Sequence, residues 1–276
     1  MSYASTLETR LAKKVTKAIT DYGLIEDGDR VMVGLSGGKD SWALFQILDV
    51  LRKRAPIGFS LIGVTVDSGY EGFRHDLISS TCEARGWDYR IVHTEIGEVM
   101  DDLLEAQATP CSLCARLRRG VLYRLADEVG ATKIALGHHL DDFVETLLLN
   151  LFFAGTLKAM PAKLVSDDRR HVVIRPLVAV TESDARAYAK QSELPIIGCC
   201  CPACGDLGLQ RQRVKRLIAE LEVEHAEVKS SMIRALANVA PRHLLDRRLN
   251  PPADLRRAAA EREADEGAVP LPLVRR

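Results

Sequence analysis

Ser36-Gly37-Gly38-Lys39-Asp40-Ser41 is the segment whose residue types and spacing promise most chemistry. An apolar run, Val31 to Leu35, leads into it, and Trp42-Ala43-Leu44-Phe45 continues from it at helical spacing. The layout predicts a strand, a glycine turn and a helix N-terminus, where backbone N–H groups and the helix dipole converge on one anion. Paired glycines let the backbone approach that anion closely. A Walker A loop is excluded, because it needs Gly where Val33 stands and Ser or Thr where Asp40 stands.

Cys111-Ser112-Leu113-Cys114 is a C-x-x-C at the start of a helical pattern, followed by Arg116, Arg118 and Arg119. A helix N-terminus and nearby guanidinium groups both lower a thiol pKa. A second pair, Cys201-Pro202-Ala203-Cys204, lies within the run that begins Cys199-Cys200. One such pair alone is compatible with redox chemistry or zinc. Two pairs, far apart in sequence, point to a metal site assembled by the tertiary fold. Zinc and an iron–sulfur cluster suit four thiolates equally well on softness alone. Cys82 has neither context and reads as a small buried apolar residue.

Gly137-His138-His139-Leu140-Asp141-Asp142 ends a strand pattern and opens a helical one. Adjacent carboxylates beside a phosphate loop suit Mg²⁺ binding or the orientation of an activated oxygen. The competing reading is a helix cap with a surface histidine.

These residues need a scaffold, and the hydrophobic pattern supplies one. Leu7, Leu11, Val15 and Ile19 form a helical stripe, capped by Ser5 with Glu8 and closed by Gly23. Strand candidates follow at 30–35, 59–67, 88–95 and 133–137, alternating with helical patterns at 39–53, 74–85, 113–129 and 141–153. The alternation predicts an α/β fold with a doubly wound parallel sheet. Ligands in such sheets lie beyond the carboxyl ends of the strands, where the glycine loop, Asp67 and Gly137 fall. The pattern loosens over 156–175, closing on Val172-Val173-Ile174. A helix from Thr181 to Lys190, a short strand at 195–197 and helices at 207–221 and 224–240 are expected beyond it. The expected organisation is an N-terminal helix (1–27), an α/β domain carrying the glycine loop and the first C-x-x-C (28–200), a helical part with the second (201–246), and a disordered tail (247–276), poor in large apolar residues.

Composition narrows the setting. No apolar run reaches membrane-spanning length and no signal-peptide layout precedes the first helix, so a cytoplasmic protein without a membrane partner is expected. Its seven cysteines then read as metal or sulfur chemistry rather than disulfides. The 38 basic and 38 acidic residues balance, so overall charge offers no argument for nucleic acid. Local clusters at 116–124, 158–175 and 211–216 must carry that case.

The glycine segment resembles the PP-loop, Ser-Gly-Gly-x-Asp-Ser, of enzymes that split ATP between its α and β phosphates and adenylate a substrate. A wider set of matches joins it: Cys111–Cys114 with Arg116-Leu117-Arg118-Arg119-Gly120, the segment 131–139, Asp141-Asp142, Met160-Pro161, Ser166-Asp167-Asp168, Ile174-Arg175-Pro176-Leu177 and Leu209-Gln210-Arg211-Gln212. Together, from about Gly28 to Leu244, they resemble the TtcA family of tRNA 2-thiocytidine synthases. The Cys-x-x-Cys-x-Arg-Leu-Arg-Arg-Gly block is the most specific part.

The resemblance implies binding of ATP and Mg²⁺ and a [4Fe–4S] cluster on three cysteines. It also implies replacement of the C2 oxygen of a cytidine, position 32 of the tRNA anticodon loop, by sulfur. By position, Cys111 and Cys114 are two cluster ligands and Cys204 the third, with Cys201 in reserve. Ser36, Gly37, Gly38, Lys39, Asp40, Ser41, Asp67 and Gly137 form the nucleotide site, and Lys39, Arg118, Asp141 and Asp142 the catalytic set. A homodimer and a cysteine desulfurase or other sulfur donor are the implied partners. Cys199 and Cys200 depart from the family pattern, and with Cys201 they are available for a cysteine persulfide as the alternative sulfur carrier. Two rival readings stand beside it: another PP-loop ligase, of 2-thiouridine or lysidine type, and a non-catalytic zinc module that binds RNA. The first lacks the arginine-rich C-x-x-C block, and intact Lys39, Asp40, Asp141 and Asp142 count against the second.

Overall fold

Val31 and Val33 join one apolar cluster while Met32, between them, joins another. A strand buried on both faces does this, because successive side chains point opposite ways. The strand is β1 (Arg30–Gly34), central in a sheet with β2 (Ser60–Asp67), β3 (Tyr89–His93), β4 (Lys133–Ala135), β5 (Lys163–Val165) and β6 (Val172–Ile174). The computed structural model describes residues 3–104, 110–198 and 209–250. Strand order is β3-β2-β1-β4-β6-β5, with all neighbours parallel except β5 and β6. The expected parallel α/β sheet is present, with one antiparallel edge strand added.

Helices cover both faces. Helices α1 (Thr6–Tyr22), α2 (Lys39–Arg52), α3 (His75–Ala84) and α7 (Glu182–Gln191) contribute Leu11, Trp42, Ile78 and Tyr188 to the Val31–Val33 cluster. Helix α5 (Pro110–Val129) places Leu125 and Ala126 against Met32, Ile62 and Ile134 on the other side. Helix α6 (Leu140–Phe153) packs Leu140, Val144 and Leu148 against Val214 and Ile218 of α8 (Leu209–Glu224). Two more helices, α4 (Ile96–Leu104) and α9 (Val228–Leu236), complete the described set. Contacts divide the chain into two compact units, Met1–Ile233 and Arg234–Arg276, the second holding a short 3₁₀ turn at Pro241–His243. No described helix is long and apolar enough to cross a membrane.

Local signals explain most boundaries. The Ser5 hydroxyl accepts the Glu8 amide at 3.0 Å, and Gly23, with φ at 55°, ends α1 in a left-handed cap. The Glu8 carboxylate accepts from Ala4 at 2.9 Å rather than from Ser5, so the capping box is displaced by one residue. Helix α5 begins at Pro110, three residues earlier than expected, because proline needs no N–H partner in a first turn.

Three short elements differ from expectation. Helix α4, with Ile96 and Met100 buried one turn apart, was not anticipated. Strand β5 has three residues and lies at an edge, too short to display alternation. The segment 195–197 is not a strand: the Ile197 amide donates to the Gly37 carbonyl at 2.9 Å, in a loop rather than a ladder. The last helical stretch is also shorter, Val228–Leu236, after a break at 225–227.

Candidate active site at the sheet switch point

From β1 the chain moves outward to β2 and β3, then crosses to the other side of β1 to lay down β4. The loops after β1 and β4 therefore part and leave a crevice at the strand ends. A cavity of about 750 Å³ lies there. Ser36, Gly38, Asp40 and Ser41 line one wall, with Asp67 at the end of β2 and Ser68 just after it. Gly137, His138 and Asp142 come from the β4–α6 junction, Arg175 from the end of β6, and Arg118 and Arg119 from α5.

The glycine loop is built for an anion. Gly37 takes a φ of 77°, and Gly38 caps α2 without any side-chain hydrogen bond to its first amides. Those donors remain free for a ligand. Ser41 Oγ donates to the Gly38 carbonyl at 2.9 Å and accepts the Ser36 amide at 3.2 Å, which closes the loop on itself. The Trp42 indole N–H, in a ring with no exposed surface, donates to the Pro195 carbonyl at 2.7 Å and pins the start of α2. Gly137 is required by close approach: a Cβ there would lie 2.9 Å from both Asp40 C and Ser41 N.

The carboxylates separate into two roles. Asp142 lines the cavity, while its Oδ2 accepts the His139 amide at 3.0 Å and caps α6. Asp141 faces away, accepting the Glu182 amide at 2.7 Å and pairing with Lys229 Nζ at 2.6 Å. Asp40 Oδ2 pairs with Lys39, whereas its buried Oδ1 has no hydrogen-bond donor. His139 Nε2 lies 3.7 Å from that oxygen and 3.4 Å from Asp142 Oδ2. Asp67 accepts the Gly69 amide and meets His93 Nδ1 at 2.9 Å.

Lys39 Nζ lies 2.9 Å from Asp40 and 3.0 Å from Glu182, and the residue does not line the cavity. Burial works against its charge, but the two carboxylates prevail and its pKa is raised. Burial likewise opposes the charge on Glu182, yet Lys39 holds its carboxyl down to about 2. Glu182 also meets Lys215 Nζ at 3.6 Å, and Lys215 and Arg211 converge on buried Glu145. A chain of alternating charges thus joins α8 to the phosphate loop. Burial raises the Glu145 pKa in spite of both cations.

Among the metal candidates, Cys114 is a half-buried free thiol in α5, beside the cavity-lining Ala115. Cys111 occupies the first turn of the same helix. Cys201 and Cys204, with Cys199 and Cys200, lie outside the described residues, but Gly198 lines the cavity immediately before them. Buried Cys82 has its thiol pushed up to about 12 by desolvation, unsuited to a thiolate ligand. Arg118, one turn beyond Cys114, donates Nη2 to Ser68 Oγ at 2.9 Å. Sequence reasoning assigned no role to Glu182 or Glu145, and it placed Arg175 only within the basic cluster at 158–175 and the Ile174-Arg175-Pro176-Leu177 match. Only Arg175, directly after a strand, left a signal that position alone would have revealed.

A PP-loop domain family model matches residues 7–198. The chain is 50% identical over 240 residues to the tRNA-cytidine(32) 2-sulfurtransferase of Geobacter metallireducens, spanning 87% of this chain and 93% of that one. It is 49% identical over 259 residues to the enzyme of the same name from Syntrophotalea carbinolica, 92% and 99% of the two chains. The chain belongs to the tRNA-cytidine(32) 2-sulfurtransferase family. Family membership agrees with the resemblance carried by the PP-loop and the arginine-rich cysteine block. The fold of this sulfurtransferase is shared with the U34-tRNA thiolase NcsA from Methanococcus maripaludis, solved with its [4Fe-4S] cluster. The two agree at a TM-score of 0.69 and 28% identity, over 84% of this chain and 78% of that one.

Proposed function

We propose that this chain uses ATP to replace the C2 oxygen of cytidine 32 in tRNA with sulfur. One observation carries the reading: a single cavity is bounded by the phosphate loop and by the helix that bears the first cysteine pair. A cytidine C2 oxygen is a poor leaving group until it is esterified to phosphate. In the reading, that oxygen attacks the α-phosphate and diphosphate departs, so oxygen later leaves as AMP when sulfur bonds to C2.

The loop amides of 37–39 and the α2 dipole receive the phosphates. Lys39 exchanges Glu182 for the phosphate charge. Asp142 orients the cytosine from the cavity wall, and Arg118, steadied by Ser68, meets charge that develops on phosphate or oxygen. Asp141 acts through position, tying α6 to α7 and Lys229.

The residues present fit both inorganic groups. The buried, donorless Asp40 Oδ1, with Asp142 across the same cavity, suits Mg²⁺, which neutralises phosphate charge. Cys114, Cys111 and Cys204 suit a [4Fe–4S] cluster: soft thiolates on α5, and a second pair reached from cavity-lining Gly198. When bound, the cluster supplies sulfur-delivery chemistry. A cysteine desulfurase or another sulfur donor would feed it, and a homodimer is the proposed assembly.

The test is nucleoside mass spectrometry. Anaerobically purified protein, incubated with unmodified tRNA, ATP, Mg²⁺ and sulfide, is expected to form 2-thiocytidine and AMP together. Formation of 2-thiouridine or lysidine would replace the reading with another PP-loop ligase. A colourless, active protein with stoichiometric zinc would remove the cluster from it.

A further inference from the structure

Arg175 is a charged residue placed where charge is costly. Only 8% of its surface is exposed, it lines the cavity, and its Nε has no hydrogen-bond partner. Nη1 donates to the Pro161 carbonyl at 2.8 Å. No carboxylate lies within ion-pair distance of Arg175 among the described residues. Burial, and then the charge of Arg119, lower its pKa. Arg119 is exposed at the cavity wall and likewise pairs with no carboxylate among the described residues. His138 does not compensate: burial and then Arg175 push it down to about 4, so it is neutral at physiological pH.

A buried guanidinium normally has a partner, because an unpaired buried charge costs several kcal/mol. Two arginines that repel each other across one wall call for an anion to sit between them. Arginine forks match phosphate geometry.

Resting on the functional reading above, we propose that Arg175 and Arg119 form a second phosphate site, distinct from the glycine loop, for a backbone phosphate of the RNA beside the target cytidine. Position favours RNA over ATP. Arg175 follows β6, two strands from β1, which puts it about 10 Å sideways from the strand that carries the phosphate loop. The triphosphate is already received at that loop. Exposed Arg119 continues the site outward, as a polymer that enters from solvent requires. The rigid Tyr123 ring, stacked on His171 at 4.5 Å and 6°, lines the same wall and offers a face to a base.

The test measures binding of unmodified tRNA and of ATP separately, over a salt series, with anaerobically purified wild type, Arg119→Ala and Arg175→Gln. Each variant is expected to bind tRNA about tenfold more weakly at 0.1 M salt, with the log–log salt slope reduced by about one. ATP affinity should stay within twofold. Arg119→Ala, at an exposed position, keeps the test valid if Arg175→Gln fails to fold. Unchanged tRNA affinity and slope would overturn the proposal, and weakened ATP binding alongside would assign the site to the nucleotide. A wild type that binds no tRNA would overturn the functional reading and this inference with it.

Discussion

The Gly37 carbonyl accepts the Ile197 amide at 2.9 Å, so the segment that enters the second cysteine pair is fastened to the phosphate loop. Contact is close on the side-chain side too: a Cβ on Gly37 would fall 3.0 Å from Ile197 Cδ1. Only one residue, Gly198, separates Ile197 from Cys199. A shift in the loop on nucleotide binding would pull directly on Ile197. Gly37→Ala meets both a left-handed φ and this contact, at a cost of about 1–3 kcal/mol. The expected outcome is loss of both ATP binding and iron, measured by calorimetry and metal analysis. Loss of ATP binding with full iron would show that the two are uncoupled.

Gly137→Ala tests the other wall. The added methyl presses on the backbone of Asp40 and Ser41, which cannot rotate away as a side chain would. We expect at least a tenfold loss of ATP affinity, equal to about 1.4 kcal/mol, from displacement of the α2 N-terminus. Unchanged affinity would show that the loop has slack.

Asp141→Asn and Asp142→Asn should fail differently. Asp141 holds Lys229 and the Glu182 amide, so its loss should lower stability by about 3 kcal/mol or more in denaturant unfolding. Asp142 lines the cavity and caps one amide, so its loss should cost only about 1 kcal/mol while abolishing thiolation. Equal stability losses would contradict the separation.

Glu182→Gln releases Lys39 from one of its two carboxylates. A partly exposed pair of this kind contributes up to about 1 kcal/mol, so ATP should bind roughly fivefold tighter. Weaker binding would mean that Glu182 steers Lys39 toward the phosphates.

His138 gives stability a pH dependence of definite sign. Its folded pKa, about 4, lies below the ordinary histidine value of 6.5, so the unfolded chain takes up a proton that the folded chain refuses. Stability from this group is full above pH 6.5 and falls as the pH drops toward 4. In His138→Gln the decline over that window should be shallower than in wild type, by thermal melting at fixed ionic strength. Parallel curves would place the proton elsewhere.

Much of this protein was legible in its residues alone. The strand–glycine–helix layout around Ser36–Ser41 is local, written in adjacent residues and in the N–H groups that a helix start leaves free. The alternation of short Val/Ile runs with helical stripes determined the parallel α/β class for the same reason. The strand at 195–197 was misread because an extended apolar triplet carries no mark of its hydrogen-bond partner, here the Gly37 carbonyl. Asp141 and Asp142 look alike as neighbours in sequence. Only the helix direction and the packing of α7 and α9 send one to Lys229 and the other to the cavity. The pairing of Lys39 with Glu182, and the placing of Arg175 near Arg119 on one wall, join residues distant in the chain. Long-range charge placement depends on sheet order, β1-β4-β6, and sheet order is decided by tertiary packing.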